Sequence, residues 1–134
     1  MHLEADMRKG SVKALILSLL HERPMYGYQL SKELQRRSKG YFEFKEGTLY
    51  PALHRMEQQG LLRGEWQVVN EGPSRKVYHL TDKGQEELGR SQSEWATFAD
   101  RLLAVLGRPG SASPPGQAGE RTPRRGTLEV GVED

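Results

Sequence analysis

The chain has no cysteine, which excludes a disulfide framework and a thiolate metal site and fits a reducing compartment. It has no long hydrophobic run. The longest, Ala14-Leu15-Ile16-Leu17, is far short of the roughly 20 residues that a membrane-spanning helix needs. The start, Met1-His2-Leu3-Glu4-Ala5-Asp6, is acidic and has no apolar centre, unlike a secretory signal, and Met7 offers an alternative start. Excess charge of one sign is also scarce: 20 Lys and Arg face 18 Asp and Glu, a formal net charge of +2. A polyanionic partner would therefore have to be met by the distribution of charge, not by its total. Catalytic signatures are missing as well. The histidines His2, His21, His54 and His79 show no metal-ligand spacing, no serine sits in a Gly-x-Ser-x-Gly elbow, and no glycine-rich loop precedes Lys-Ser or Lys-Thr. The expectation is a cytoplasmic protein with no membrane span, no cofactor, no metal and no enzymatic activity. At 134 residues it holds one domain and at most a tail.

What is present is a run from Lys45 to Gly60 that reads as a short helix opening on a loop and closing on glycine. Leu49, Leu53 and Met56 recur at i, i+4, i+7 and make an apolar stripe. The opposite face carries Tyr50, His54, Arg55 and Gln58, all able to hydrogen-bond or stack. Thr48 is placed to cap the helix or to bind an anion at its start. Pro51 is expected in the first turn, where a missing N–H matters little. A helix with one buried stripe and one polar, aromatic face suits a major-groove reader; an ordinary surface helix is the alternative.

Two helices precede it. The first, residues 9–22, has Val12, Leu15, Ile16, Leu19 and Leu20 at helical spacing. Arg8, Lys9 and Lys13 stand at its start, the unfavourable end for cations, which suits a solvated basic end or else a phosphate or an acidic neighbour. The second, from Tyr26 to Ser38, turns Leu30 and Leu34 inward and Lys32, Arg36 and Arg37 outward. In a helix-turn-helix the helix before the reader crosses the DNA backbone, and this one is basic where that crossing would fall. Phe42 and Phe44 in the linker are expected to plug the core.

After Gly60, Leu62, Trp66 and Val68 share one face of a strand, and Asn70-Glu71-Gly72-Pro73-Ser74 is dense in turn formers. A second strand, residues 75–80, returns. The hairpin reads as a wing, with Arg63, Arg75 and Lys76 suited to phosphate contact. Thr81 and Asp82 then start a long helix reaching about Leu106. Leu88, Trp95 and Leu102 recur every seven residues, with Phe98 and Val105 on companion positions and Ala99 and Leu106 beside them, a seam suited to helix pairing. Ser91 interrupts the companion row. The expected cover is the same helix of a second subunit; a monomeric fold-back is the alternative. Residues 108–134 are rich in Pro, Gly and Ser and read as a disordered tail.

The ordered segments Pro24-Met25-Tyr26-Gly27-Tyr28-Gln29-Leu30, Glu46-Gly47-Thr48-Leu49-Tyr50-Pro51-Ala52-Leu53, Gly60-Leu61-Leu62 and Tyr78-His79-Leu80-Thr81-Asp82-Lys83-Gly84 resemble the PadR family of bacterial transcriptional regulators. The resemblance covers roughly residues 8–107. It implies a mainly α fold with a small β-hairpin: a winged helix-turn-helix followed by a long C-terminal dimerisation helix. The division is residues 1–8 as a flexible N-terminus, 9–81 as the DNA-binding domain, 82–107 as the dimerisation helix and 108–134 as the tail.

The implied function is a repressor acting as a homodimer on double-stranded DNA. Gly47, Thr48, Tyr50 and Pro51 would lie at the groove, and His54 and Arg55 one turn on. Lys32, Arg36, Arg75 and Lys76 would contact the backbone. The family's wing is often richer in Arg and Lys than this one. Some short members bind aromatic or cationic small molecules on a tryptophan of the last helix, which makes Trp95, with Phe98 and Ala99, the matching candidate for a small aromatic effector; a packed seam tryptophan is the alternative. Dimerisation would fall to Leu88, Trp95, Phe98, Leu102, Val105 and Leu106. Competing readings are a winged-helix protein-interaction module, favoured by the modest net charge, and a small-molecule sensor that does not bind DNA.

Overall fold

Apolar side chains spaced to face one way along three helices and a hairpin give this chain its core. The computed structural model describes residues 3–68 and 70–110. The element order is α1 (Leu3–Gly10), α2 (Val12–Glu22), β1 (Met25–Tyr26), α3 (Gly27–Arg37), α4 (Glu46–Gln58), β2 (Leu62–Gln67), β3 (Arg75–Leu80) and α5 (Asp82–Leu106). The described residues fall into two compact units that divide between Trp95 and Ala96.

In the first unit, α2, α3 and α4 enclose a core in which Ile16, Leu17, Met25, Leu30, Leu49 and Leu53 are fully buried. Phe42 and Phe44 are half-buried against it, as their place in the linker suggested. The three strands form an antiparallel sheet in the order β1-β3-β2. Met25 pairs with Tyr78 and Tyr26 with Val77, so the short strand before α3 is tied to the wing. Trp66 pairs with Lys76, and Gly64 with Tyr78.

Local chemistry sets the element ends. α4 stops in a Schellman turn: Gly60 has φ +82°, its N–H donates to the Glu57 carbonyl at 3.0 Å, and Leu61 N–H donates to the Met56 carbonyl at 2.9 Å. Thr81 caps α5, accepting from Gly84 N–H at 3.0 Å, while its hydroxyl donates to the Gly60 carbonyl at 2.6 Å. Gly84 is required there. A Cβ on it would stand 2.2 Å from the Leu61 carbonyl oxygen, closer than any real contact.

Several expectations are corrected. Residues 3–8, read as part of a flexible N-terminus, belong to a separate helix that ends at Gly10, and the Arg8 guanidinium lies 5.4 Å from the Tyr41 ring centroid, tying α1 to the linker before α4. α4 begins two residues before Thr48, with Lys45 at the cap position. Thr48 therefore sits inside the first turn and is not the cap, and Pro51 falls in the second turn, where it has no N–H to give the Gly47 carbonyl. Trp66 and Val68 are exposed, because only the base of the hairpin reaches the core; Leu62 is buried and the strand then runs out into solvent. Leu88, expected on a pairing seam, is 4 % exposed and belongs to the core cluster of this chain.

The first half of α5 is held against α2. Lys13 Nζ meets Glu87 at 2.8 Å, which supplies the acidic neighbour that the basic start of α2 called for. His21 Nδ1 lies 3.0 Å from Gln85 Oε1. Leu88 and Ser91 are buried on this side, so the compact unit runs on to Trp95, whereas the sequence division fell at residue 81. In the second unit, the described part of α5 carries Phe98, Leu102, Val105 and Leu106 as exposed apolar side chains. The tail expected over 108–134 lies outside the described residues from 111 onward.

Candidate nucleic-acid interface

The 3.6-residue period divides α4 cleanly. Leu49, Ala52, Leu53 and Met56 are buried, while Gly47, Tyr50, Pro51, His54, Arg55 and Gln58 are exposed on the other side. Thr48 is half-buried at the edge between them. Tyr50 is 41 % exposed and is not sealed in the interior. Its ring lies across Gly27 at the start of α3. A Cβ at Gly27 would meet the Tyr50 hydroxyl and Cε1 at 2.6 Å, so glycine there is what gives the ring its seat. The sequence marked Gly27 only as part of a motif, because no local pattern reveals a close approach between separate elements.

The basic face of α3 is partly neutralised. Arg36 donates to Glu33 at 2.8 Å, and Arg37 donates to Glu33 at 2.9 Å and to Glu22 at 2.6 Å. These bonds hold the Glu33 carboxyl down at about 2, through the Arg36 bond first and the Arg37 bond second. The separate Arg37 bond to Glu22 lowers the Glu22 carboxyl. Lys32 instead packs its ammonium 5.3 Å from the exposed Tyr28 ring. Of the candidate backbone contacts on α3, Lys32 is thus displayed on an aromatic face and Arg36 is shared with a carboxylate.

The two wing cations are placed differently. Arg75 is exposed, its guanidinium 4.7 Å from the Tyr26 ring centroid, so β1 supplies a flat seat for it. Lys76 is half-buried and bonded to Glu57 of α4 at 2.7 Å. The other Glu57 oxygen accepts from Gly64 N–H at 3.3 Å. Glu57 thereby links α4 to both strands of the hairpin, and its bond raises the Lys76 ammonium above the ordinary lysine range. Burial pushes the neighbouring Tyr78 phenol up. No sequence signal marks Glu57, which reads like any polar residue near a helix end.

Tyr50, Pro51, His54 and Arg55 are exposed on α4, Lys32 and Arg36 are exposed on the preceding helix, and the wing's Arg75 lines one groove with Tyr50. Trp95, 38 % exposed, lines a separate apolar groove of about 240 Å³ with Ala14, Leu15, Ser18 and Leu88. Among the described residues no cluster of His, Asp or Glu could hold a metal ion, and no helix is long and apolar enough to cross a membrane.

Comparison with known proteins gives this geometry its context. The profile of the transcriptional regulator PadR-like family matches residues 16–90. A transcriptional regulator of Mycobacterium tuberculosis is 39 % identical over 98 residues, 73 % of this chain and 88 % of that protein. The crystal structure of a PadR family transcriptional regulator from Eggerthella lenta is similar at TM-score 0.69 and 35 % identity, covering 77 % of this chain and 88 % of that one. A transcriptional regulator from Clostridium thermocellum is similar at TM-score 0.69 and 28 % identity, covering 77 % of this chain and 99 % of that one.

Proposed function

The chain belongs to the PadR-like family of transcriptional regulators, which are not enzymes, and from that premise we propose that it is a cytoplasmic homodimeric repressor. α4 enters the major groove of a near-palindromic operator. The observation that carries the reading is the division of α4: Leu49, Leu53 and Met56 anchor it inward, while Tyr50, Pro51, His54 and Arg55 stand outward, Tyr50 sharing a groove with an exposed wing arginine. Tyr50, His54 and Arg55 read base edges; Gly47 and Thr48 let the start of the helix approach the strand. Lys32, Arg36 and Arg75 meet phosphates, which position without specifying. Two copies of α4 sit about 34 Å apart, one helical turn of DNA.

Dimerisation uses the exposed apolar side of the C-terminal half of α5: Trp95, Phe98, Leu102, Val105 and Leu106. An aromatic effector is favoured by the groove beside Trp95, whose walls are almost wholly apolar, with Phe98 and Ala99 further along the helix. Selection of bound fragments from the source genome, followed by gel-shift on the recovered sites, tests the reading. Tyr50→Ala should abolish preference for the selected site, and Lys32→Ala should weaken all duplexes alike. Equal loss on every DNA for Tyr50→Ala would overturn the assignment of Tyr50. For the effector, a Trp66→Phe chain leaves Trp95 as the sole tryptophan. Aromatic ligands should then quench it.

A further inference from the structure

Trp66 stands on β2 opposite Lys76 and is 65 % exposed. A single exposed apolar side chain needs no explanation, but this one is not isolated. With Tyr26, Tyr50, Ser74, Arg75 and Tyr78 it lines a groove of about 450 Å³ that runs between α4 and the hairpin. The groove is walled by aromatic rings, and cations sit at their faces. The Arg75 guanidinium lies 4.7 Å from the Tyr26 ring centroid, and the Lys76 ammonium lies 5.9 Å from that of Trp66 and 5.6 Å from that of Tyr78. Apolar ring faces edged with positive charge and phenol hydroxyls match a ligand that alternates apolar and anionic units. A sugar-phosphate strand is such a ligand.

Position favours the same occupant. When a helix fills the major groove and the adjoining wing lies toward the minor groove, one strand of the duplex must pass between them. We propose that this groove clamps that strand, with Trp66 as the platform for a deoxyribose and Arg75, held flat on Tyr26, as the phosphate donor. Tyr26 is a positioning residue, acting through Arg75. Lys76 is committed to Glu57 and contributes its field more than a direct contact. The inference rests on α4 reading DNA as proposed above.

The test uses the full chain carrying Trp95→Phe, so that Trp66 is the only tryptophan, and a mixed-sequence DNA duplex at low ionic strength, because a backbone clamp does not depend on sequence. Trp66 emission should change on adding duplex and saturate with the anisotropy of the labelled DNA. In the otherwise native chain, Trp66→Ala should weaken binding about tenfold and Trp66→Phe should restore most of it, since stacking tolerates any ring. Arg75→Ala should reduce the log–log salt slope by about 0.9, and Tyr26→Ala should reproduce part of that loss while Tyr26→Phe does not. Duplex binding with unchanged Trp66 emission and full affinity in Trp66→Ala would overturn the clamp and leave the reading of α4 intact. Failure of the native chain to bind any duplex would overturn the reading of α4 itself.

Discussion

The Tyr50 ring lies on the backbone of Gly27, so close that a methyl group at residue 27 would stand 2.6 Å from the phenol oxygen. One helix thus fixes the pose of the side chain that the next helix presents. Gly27→Ala should leave the fold in place, because the ring can swing outward, but should misplace the hydroxyl. The expected result is a small drop in Tm and a loss of preference for the selected operator similar to that of Tyr50→Ala. Thermal unfolding and competition gel-shift against mixed-sequence DNA measure the two effects.

Gly84 faces a different neighbour. The atom in the way is the Leu61 backbone carbonyl, which cannot rotate aside. Gly84→Ala should destabilise by about 1–3 kcal/mol or more through overpacking. Gly89, on the same helix, has open space where its Cβ would be, so Gly89→Ala should stabilise by about 0.5–1 kcal/mol. Urea unfolding of the two variants should therefore move in opposite directions.

Leu88 and Val105 both belong to the heptad pattern of α5 but differ in surroundings: Leu88 is 4 % exposed and Val105 is 87 % exposed. Leu88→Ala should cost about 2–5 kcal/mol of folding stability as a core truncation. Val105→Asp should leave the first unit folded and convert the proposed dimer to monomer, read by light scattering after size exclusion. A Val105→Asp chain that stays dimeric would move the pairing surface elsewhere.

Glu57 joins Lys76 and the Gly64 N–H, so it ties the hairpin to α4. Glu57→Ala leaves a half-buried ammonium and an amide without their acceptor and should cost about 1–3 kcal/mol. Because Lys76 is engaged in this link, Lys76→Ala should change the salt slope of DNA binding less than Arg75→Ala does. Equal slopes for the two variants would give Lys76 a phosphate of its own.

Acid should loosen the α3 face in a defined window. Glu33 is held at about 2, below its ordinary 4.5, by Arg36 and then Arg37. A carboxyl lowered in the folded state contributes stability that is fully present above 4.5 and fades as the pH falls toward 2. Glu33→Gln should lower Tm at neutral pH and flatten its decline across that window. It should also free Arg36 and strengthen binding to mixed-sequence duplex.

Residue spacing alone determined α2 to α5, the hairpin and the inward and outward faces of α4, because the 3.6 and 2.0 periods tie side-chain direction to sequence position. Leu49, Leu53 and Met56 against Tyr50, His54 and Arg55 were legible for that reason. The same period placed Leu88 on the seam, though it is buried, and put Trp66 on one face with Leu62, though only Leu62 is buried. Period gives direction but not what lies in that direction: α2 covers the first half of α5, and among the described residues the outer part of the hairpin stays exposed. Tertiary structure alone decided that Gly27 seats Tyr50, that Glu57 ties the wing to α4, that Tyr26 seats Arg75, and that Arg36 and Arg37 share Glu33 while Arg75 stays on the surface. Those are contacts between elements brought together by burial of the core, most of them distant in sequence, and their distances exist only once the chain has closed around it.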